Sequence, residues 1–424
     1  MSVTPPVPCP HAATRRELLL GSGALFAWAF VPGIARAEGR DPRFLTIVLR
    51  GALDGLAAVA PVGDPDWVKL RGDSALKLDG ATPALPLDGF FALNPAMPNL
   101  NRLYQAGQAI VVHAVATPYR ERSHFDGQDV LESGFARPGH ADSGWLNRAL
   151  SVLAPDDRVR TGTNRARAFA VGPITPLLVR GPAPVLSWVL SRLPSVSDDT
   201  TLRLFDLYRH TDATLTSVLE DRIDLATLTP GNPQGRGADE KGPAIQVGNI
   251  GQVRAYFAEA AGTAAQFLAR PDGPRVGALA LDGWDTHNNE GAVNGRLSQL
   301  LGALDAALAA IETNMGGAWN ETVVTLITEF GRTARINGTE GTDHGTATVA
   351  LLVGGALKGG RVIADWPGVK ANNLHENRDL RATTDLRAVL KGLLRDHLRI
   401  DERALMTEVF PDSEDVKPTE GCLA

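Results

Sequence analysis

Six short apolar runs limit what this chain can fold into. Residues 44–49 (FLTIVL), 108–115 (QAIVVHAV), 168–171 (AFAV), 275–281 (RVGALAL), 322–328 (TVVTLIT) and 348–353 (TVALLV) carry almost no polar side chains. A strand wetted on one side alternates apolar and polar residues. One covered on both sides reads as a continuous apolar run. Between the runs lie helix-like stretches: 94–106 with Leu100 and Leu103 on one face, 123–133 closed by Gly134 as a C-cap, 292–314, and the amphipathic 386–398. Strands alternating with helices predict an α/β fold, a doubly wound and mostly parallel sheet with helices on both faces. From about 187 to 270 the pattern is helical, interrupted by the loop signal TPGNPQG at 229–235. This predicts a helical insertion within one domain spanning 38–410. Residues 411–424, with Pro411, Asp412, Glu414 and Asp415, read as a loosely ordered tail.

The N-terminus predicts export. Arg15 and Arg16 stand directly ahead of an apolar stretch, 18–34, and Ala35-Arg36-Ala37 follows it. A charged start, a modest apolar segment and an A-x-A end are the marks of a cleaved signal, here 1–37, and the paired arginines point to the twin-arginine translocase. The apolar stretch is broken by Gly21, Gly23, Pro32 and Gly33, too short and interrupted for a stable span of a bilayer core about 30 Å thick. The expected location is therefore the periplasm or the medium. Cys9 leaves with the signal and Cys422 lies near the end, so the mature chain is held without an internal disulfide, by its core and any bound ion. A net charge of −6 provides no basic footprint for nucleic acid.

Sites in open α/β sheets form beyond the carboxyl ends of the strands. The first run is followed by Asp54, the second by Ser123, His124 and Asp126, the fourth by Asp282-Gly283-Trp284-Asp285-Thr286-His287, and the fifth by Glu329-Phe330-Gly331-Arg332-Thr333. Asp343-His344 precedes the sixth. Three of the nine histidines, His124, His287 and His344, thus fall in these loops, each close to an Asp. Carboxylates and imidazoles converging from separate loops are what zinc or manganese needs. Asp282 and Asp126 equally suit helix caps and turns. Trp284 suits packing, His113 a hydrogen-bonded core position, and His140, His210 and His397 structural roles; His375-Glu376 could line a rim. Ser123 opens a helix, where it either caps the first turn or faces a bound anion. Arg120 and Arg122 beside it could donate to an oxyanion.

Taken in order, the twin arginines, RGALDG at 50–55, RSHF at 122–125, GWDTH at 283–287, EFGRT at 329–333 and DHG at 343–345 resemble an exported bacterial family, domain-of-unknown-function family 1501. That family is distantly similar to the alkaline phosphatase and sulfatase superfamily, with its doubly wound sheet, two-metal site and hydroxyl or modified-Cys nucleophile at a helix N-terminus. The resemblance implies Ser123 as nucleophile and Asp54, Asp285, His287, Glu329, Asp343 and His344 as metal ligands. It implies Arg332 or Arg122 as holder of a non-bridging oxygen. Phe330 stands where the superfamily has a histidine, and Asp54 lies three residues past the apolar run, so the ion expected is a single Zn, Mn or Ca, or none. The activity implied is an exported, metal-dependent hydrolysis of phosphate- or sulfate-type esters, of small molecules or polymers. Phe330 favours a rival, an exported binding or assembly protein with a degenerate site. A serine esterase using Ser123 and His344 would lack the Gly-x-Ser-x-Gly elbow.

Overall fold

The computed structural model describes residues 40–139, 141–153, 168–172, 174–188, 250–271 and 273–424. The predicted signal at 1–37, His140, His210 and most of the predicted helical insertion lie outside the described residues.

All six apolar runs are strands. The chain enters at β1 (Arg43–Arg50), and β2 (Val59–Ala60), β3 (Leu85–Pro86) and β4 (Ala92–Leu93) form a small separate sheet. Next come β5 (Ala109–Ala116), β6 (Ala168–Val171), β7 (Val185–Trp188) and β8 (Val276–Asp282). The last strands are β9 (Thr322–Ile327), β10 (Thr348–Val353), β11 (Arg361–Ile363) and β12 (Thr384–Asp385). The described strands of the main sheet run in the order β11-β5-β10-β9-β1-β8-β6-β7, with β12 also beside β5. Neighbours pair in parallel, except that β10 runs antiparallel to both β9 and β5. That one reversal brings the loop before β10 to the edge where the parallel strands end.

Period-two alternation explains why β1 is apolar throughout. Leu45, Ile47 and Leu49 join one hydrophobic cluster, whereas Phe44 and Val48 join a second on the opposite face, and all five are buried. The first cluster is completed by α3 (Pro98–Gln105), α6 (Ile250–Ala269) and α7 (Arg296–Met315), the second by α5 (Trp145–Val152) and α8 (Leu386–Leu398). Each fully buried Leu, Ile or Val in such a layer contributes about 1.5–3 kcal/mol. Three further helices bear on the site: α1 (Gly55–Ala58), α2 (Trp67–Arg71) and α4 (His124–Ser133). Gly134 closes α4 in the left-handed conformation, as a C-cap should. Among the described residues no helix is long and apolar enough to cross a membrane.

Two expectations need correction. Val185–Trp188, at the start of the predicted helical insertion, is a parallel edge strand on β6; β-branched and aromatic residues in a four-residue run favour that state. The C-terminal stretch is packed rather than loose. Lys391 of α8 donates to the carbonyls of Ser413 (2.6 Å) and Val416 (2.9 Å), Thr419 N–H donates to Ala388 (2.9 Å), and Cys422 is buried.

Candidate metal centre

Beyond the carboxyl edge, the segments that follow β9 and precede β10 pair with each other. Thr333 N–H donates to Asp343 O, Gly345 N–H to Gly331 O and Gly331 N–H to Thr346 O, each at 2.8 Å. A Cβ on Gly345 would lie 2.4 Å from the carbonyl of Arg332, so the two backbones can approach this closely only at glycine. Gly51, at φ +118°, lets the end of β1 meet the amide of Asp285, which a Cβ there would approach to 2.5 Å. These close crossings gather the loops into one cleft.

Four side-chain atoms converge in it. His124 Nε2 lies 2.9 Å from His344 Nε2, and Asp285 Oδ1 lies 3.5 Å from the first and 3.3 Å from the second. Ligand atoms held about 2.0–2.1 Å from a tetrahedral zinc ion are about 3.3 Å apart, so this triangle matches one face of such a site. His287 Nε2 sits against the same face, 3.0 Å from His344 Nε2 and 3.1 Å from Asp285 Oδ1.

Behind each ring stands an acceptor. His124 Nδ1 meets Glu329 Oε1 at 2.8 Å, His287 Nδ1 meets Asp343 Oδ1 at 3.2 Å, and His344 Nδ1 meets the backbone carbonyl of Arg122 at 2.9 Å. A neutral imidazole has one proton; these acceptors can hold it on Nδ1 and leave the Nε2 lone pair for a cation, whereas without one Asp285 Oδ1 competes for a proton on Nε2. Two lone pairs 2.9 Å apart repel unless a cation or a proton lies between them. The donor set of His124, Asp285 and His344 therefore fits a divalent metal of the zinc type, with His287 Nε2 beside it against His344 and Asp285.

Protonation without metal follows the same geometry. Hydrogen bonds to Asp285 and Glu329 push the His124 pKa up to about 9, against the opposing effect of burial. Burial works against ionising Asp285, but His124, His344 and Arg332 hold it well below the usual carboxylate range. Burial likewise opposes ionisation of Glu329, and hydrogen bonds from His124 and the Gly51 amide keep its pKa lowered. A histidine raised from 6.5 to about 9 stabilises the metal-free fold fully below about pH 6.5, and that contribution is lost as pH rises through 9. With chelator present, the melting temperature should thus fall between those pH values. With saturating zinc it should hold or rise, since fewer protons compete for the ligands. Melts at both pH values, with and without chelator, check the opposite signs.

Of the expected ligands, Asp285, His287 and His344 meet at the cluster, and the structure corrects three others. Asp54 caps α1, accepting from Leu56 N–H (3.0 Å) and Ala57 N–H (3.2 Å), and both its oxygens bind Arg71 in a buried pair at 2.6 and 3.0 Å. Glu329 spends its oxygens on His124, the Gly51 amide (2.9 Å), Gln128 (3.2 Å) and Thr328 (2.9 Å), so it orients a ligand instead of being one. Asp343 does the same for His287, with Asn337 as its other partner at 3.1 Å.

The expected anion-binding arginines are committed elsewhere. Arg332 is buried and donates to Asp285 Oδ1 (2.6 Å) and to the carbonyl and hydroxyl of Thr342. Arg122 pairs with Glu376 (2.6 Å) and Asp379 (2.9 Å), and Arg120 bonds the carbonyls of Thr117 and Tyr119. Ser123 occupies the N-cap position of α4, but its side chain makes no cap bond. Trp284 is buried and bonds Leu281 O at 2.9 Å, His113 bonds Val59 O at 2.9 Å, and His397 bonds Arg43 O at 3.0 Å, all structural as read. The candidate donor not assigned from the sequence is His124. Its signal was present, as one of three loop histidines beside an acid, but its neighbour Ser123 drew the functional role. Phe330, in place of a histidine, stacks on His124 at 5.0 Å and packs against His344 at 5.4 Å, walling the cluster with an aromatic ring.

Several solved structures are similar to this chain at low identity. A protein of the alkaline phosphatase superfamily from Vibrio parahaemolyticus is 11% identical, with 74% of this chain and 60% of that chain covered and a TM-score of 0.31. For the phosphonate monoester hydrolase of Agrobacterium radiobacter the values are 13%, 76%, 70% and 0.33. For the PsFucS1 sulfatase from Pseudoalteromonas sp. they are 12%, 82%, 68% and 0.34. The chain thus spans 60% of the length of the Vibrio protein. No curated protein sequence matches it significantly. A family model does match, over residues 106–410, the stretch that supplies His124, Asp285, His287 and His344, and the chain belongs to that family, described as "Protein of unknown function (DUF1501)".

Proposed function

We propose that the chain is an exported, metal-dependent hydrolase of phosphate- or sulfate-type esters. The observation that supports it is the meeting of three Nε2 atoms and one carboxylate oxygen with each Nδ1 already held by an acceptor. A divalent ion bound there would act as a Lewis acid on an ester oxygen and lower the pKa of a nearby nucleophile. His124, Asp285, His344 and His287 would hold it, with Arg332 keeping Asp285 ionised and Glu329 fixing the ring of His124. Ser123, between the Arg122 carbonyl on His344 and the ligand His124, is the candidate nucleophile. The first turn of α4 would favour the non-bridging oxygens of the ester. Export rests on residues 1–37 alone.

The commitment of Arg120, Arg122 and Arg332 to protein partners favours a second reading, an exported binding protein that keeps the ion and lacks turnover. Purified full-length chain should be analysed for metal and assayed on p-nitrophenyl phosphate, sulfate and acetate, with and without chelator. Near-stoichiometric metal with chelator-sensitive phosphate or sulfate release supports the hydrolase. Metal without turnover supports the binding protein. Chelator-insensitive acetate cleavage would move the reading to a serine esterase, and no metal and no turnover would end the first two.

A further inference from the structure

Arg122 has φ +63°, a left-handed conformation that non-glycine residues rarely adopt, and it stands two residues ahead of His124. Such strain persists only where the surroundings over-determine it. Here they do so from two sides. The guanidinium donates through Nε to Asp379 Oδ2 at 2.9 Å and through Nη2 to Glu376 Oε2 at 2.6 Å. Asp379 is fully buried and lies in a tight turn, exchanging backbone hydrogen bonds with His375 at 2.8 and 3.0 Å, and it bridges to Thr333, whose N–H donates to Asp343. The other end of the same residue, its carbonyl, is the acceptor 2.9 Å from His344 Nδ1.

We infer that Arg122 is a positioning residue: its ion pair with Asp379 holds the strained turn that aims the Arg122 carbonyl at His344 Nδ1, and so selects the tautomer that leaves His344 Nε2 free for a ligand. The other two rings are fixed by side-chain carboxylates, Glu329 and Asp343. At Nδ1 His344 relies on a main-chain carbonyl, whose direction is set by φ and ψ alone, in competition with Asp285 Oδ1 3.3 Å from its Nε2. Relaxing residue 122 to an ordinary conformation turns that carbonyl away. The ring can then put its proton on either nitrogen, including the one at the centre of the cluster. The sequence placed Arg122 as a substrate-binding group; the geometry gives it this different task. The inference rests on the metal reading for its purpose, though the tautomer itself exists without any ion.

Two measurements on the full chain test it. In chelated protein, imidazole ¹⁵N spectra should show His344 with its proton on Nδ1 in wild type and a shift toward Nε2–H in Arg122→Ala. Zinc affinity, read by competition with a chromophoric chelator, should fall about 10- to 100-fold in Arg122→Ala, the range typical of losing a residue that orients a ligand. Arg122→Gly, which adopts the left-handed turn without strain, should keep the wild-type tautomer better than Arg122→Ala and recover part of the affinity. A purely structural role for the ion pair would lower the melting temperature of both variants alike and leave the tautomer unmoved. An unchanged tautomer in Arg122→Ala overturns the inference. Wild type that binds no zinc overturns the metal reading instead, and the spectra of the chelated protein still decide the question asked of Arg122.

Discussion

His344→Ala should erase the difference between the melting curves recorded with zinc and with chelator. His344 Nε2 is in contact with His124, His287 and Asp285 at 2.9–3.3 Å, so its loss opens the centre of the cluster rather than a corner. Binding to the folded state alone stabilises it by about 4 kcal/mol when the ion is present at roughly a thousand times its Kd. Wild type should show a stabilisation of that order, and the variant almost none. Ser123→Ala should keep the wild-type response to chelator while losing any turnover, because a nucleophile contributes to the reaction path and not to the fold. A variant at His344 that still responds to chelator would mean that the ion, if bound, is held elsewhere.

The second large effect is expected far from any chemistry. Asp54→Ala should destabilise the fold by about 3–5 kcal/mol, the usual consequence of leaving one member of a buried ion pair without its partner. The orphan would be Arg71, whose side chain is 1% exposed. Its remaining acidic neighbour, Glu290, has a pKa pushed up to about 8, first by burial and then by the charge of Asp54; the substitution removes the second cause, but burial still opposes a charge on Glu290 that could replace the lost partner. Loss of the helix cap adds to the cost. Replacing both partners by apolar residues of similar size, Asp54→Leu with Arg71→Met, should recover much of it. Zinc affinity measured on the folded fraction should stay near wild type in either case. A large fall in affinity with little loss of stability would restore Asp54 as a ligand.

That contrast shows what the sequence could and could not convey. Strands buried on both faces leave a plain record, and all six apolar runs are strands within a residue or two of their predicted ends. The short edge strands β7, β11 and β12 carry too few residues for any period to be legible. Strand direction is not legible either. In a wholly parallel sheet the loop before β10 would lie at the wrong edge for His344, and only pairing with β9 and β5 reveals that it does not. Within the site, the convergence of loops was readable, but the roles of the acids were not. Asp285 and Asp343 each lie within two residues of a cluster histidine in sequence. One turns an oxygen toward the Nε2 atoms and the other holds an Nδ1 from behind. Arginines pose the same difficulty, because a guanidinium fits a protein carboxylate as readily as a substrate oxyanion.

The donors come from chain segments far apart: His124 lies 220 residues from His344, and His287 lies 57. Only His344 belongs to the paired segments beside β9 and β10; His124 arrives at the start of α4 after β5, and Asp285 and His287 arrive together in the loop after β8. No fragment of the chain contains more than part of the coordination shell, and early local structure cannot hold an ion tightly. Tight binding at this edge would require β5, β8, β9 and β10 to be already in register. Occupancy of the cluster would therefore be a gauge of completed folding, and release of a bound ion during unfolding would time the separation of the sheet rather than the fraying of any one loop.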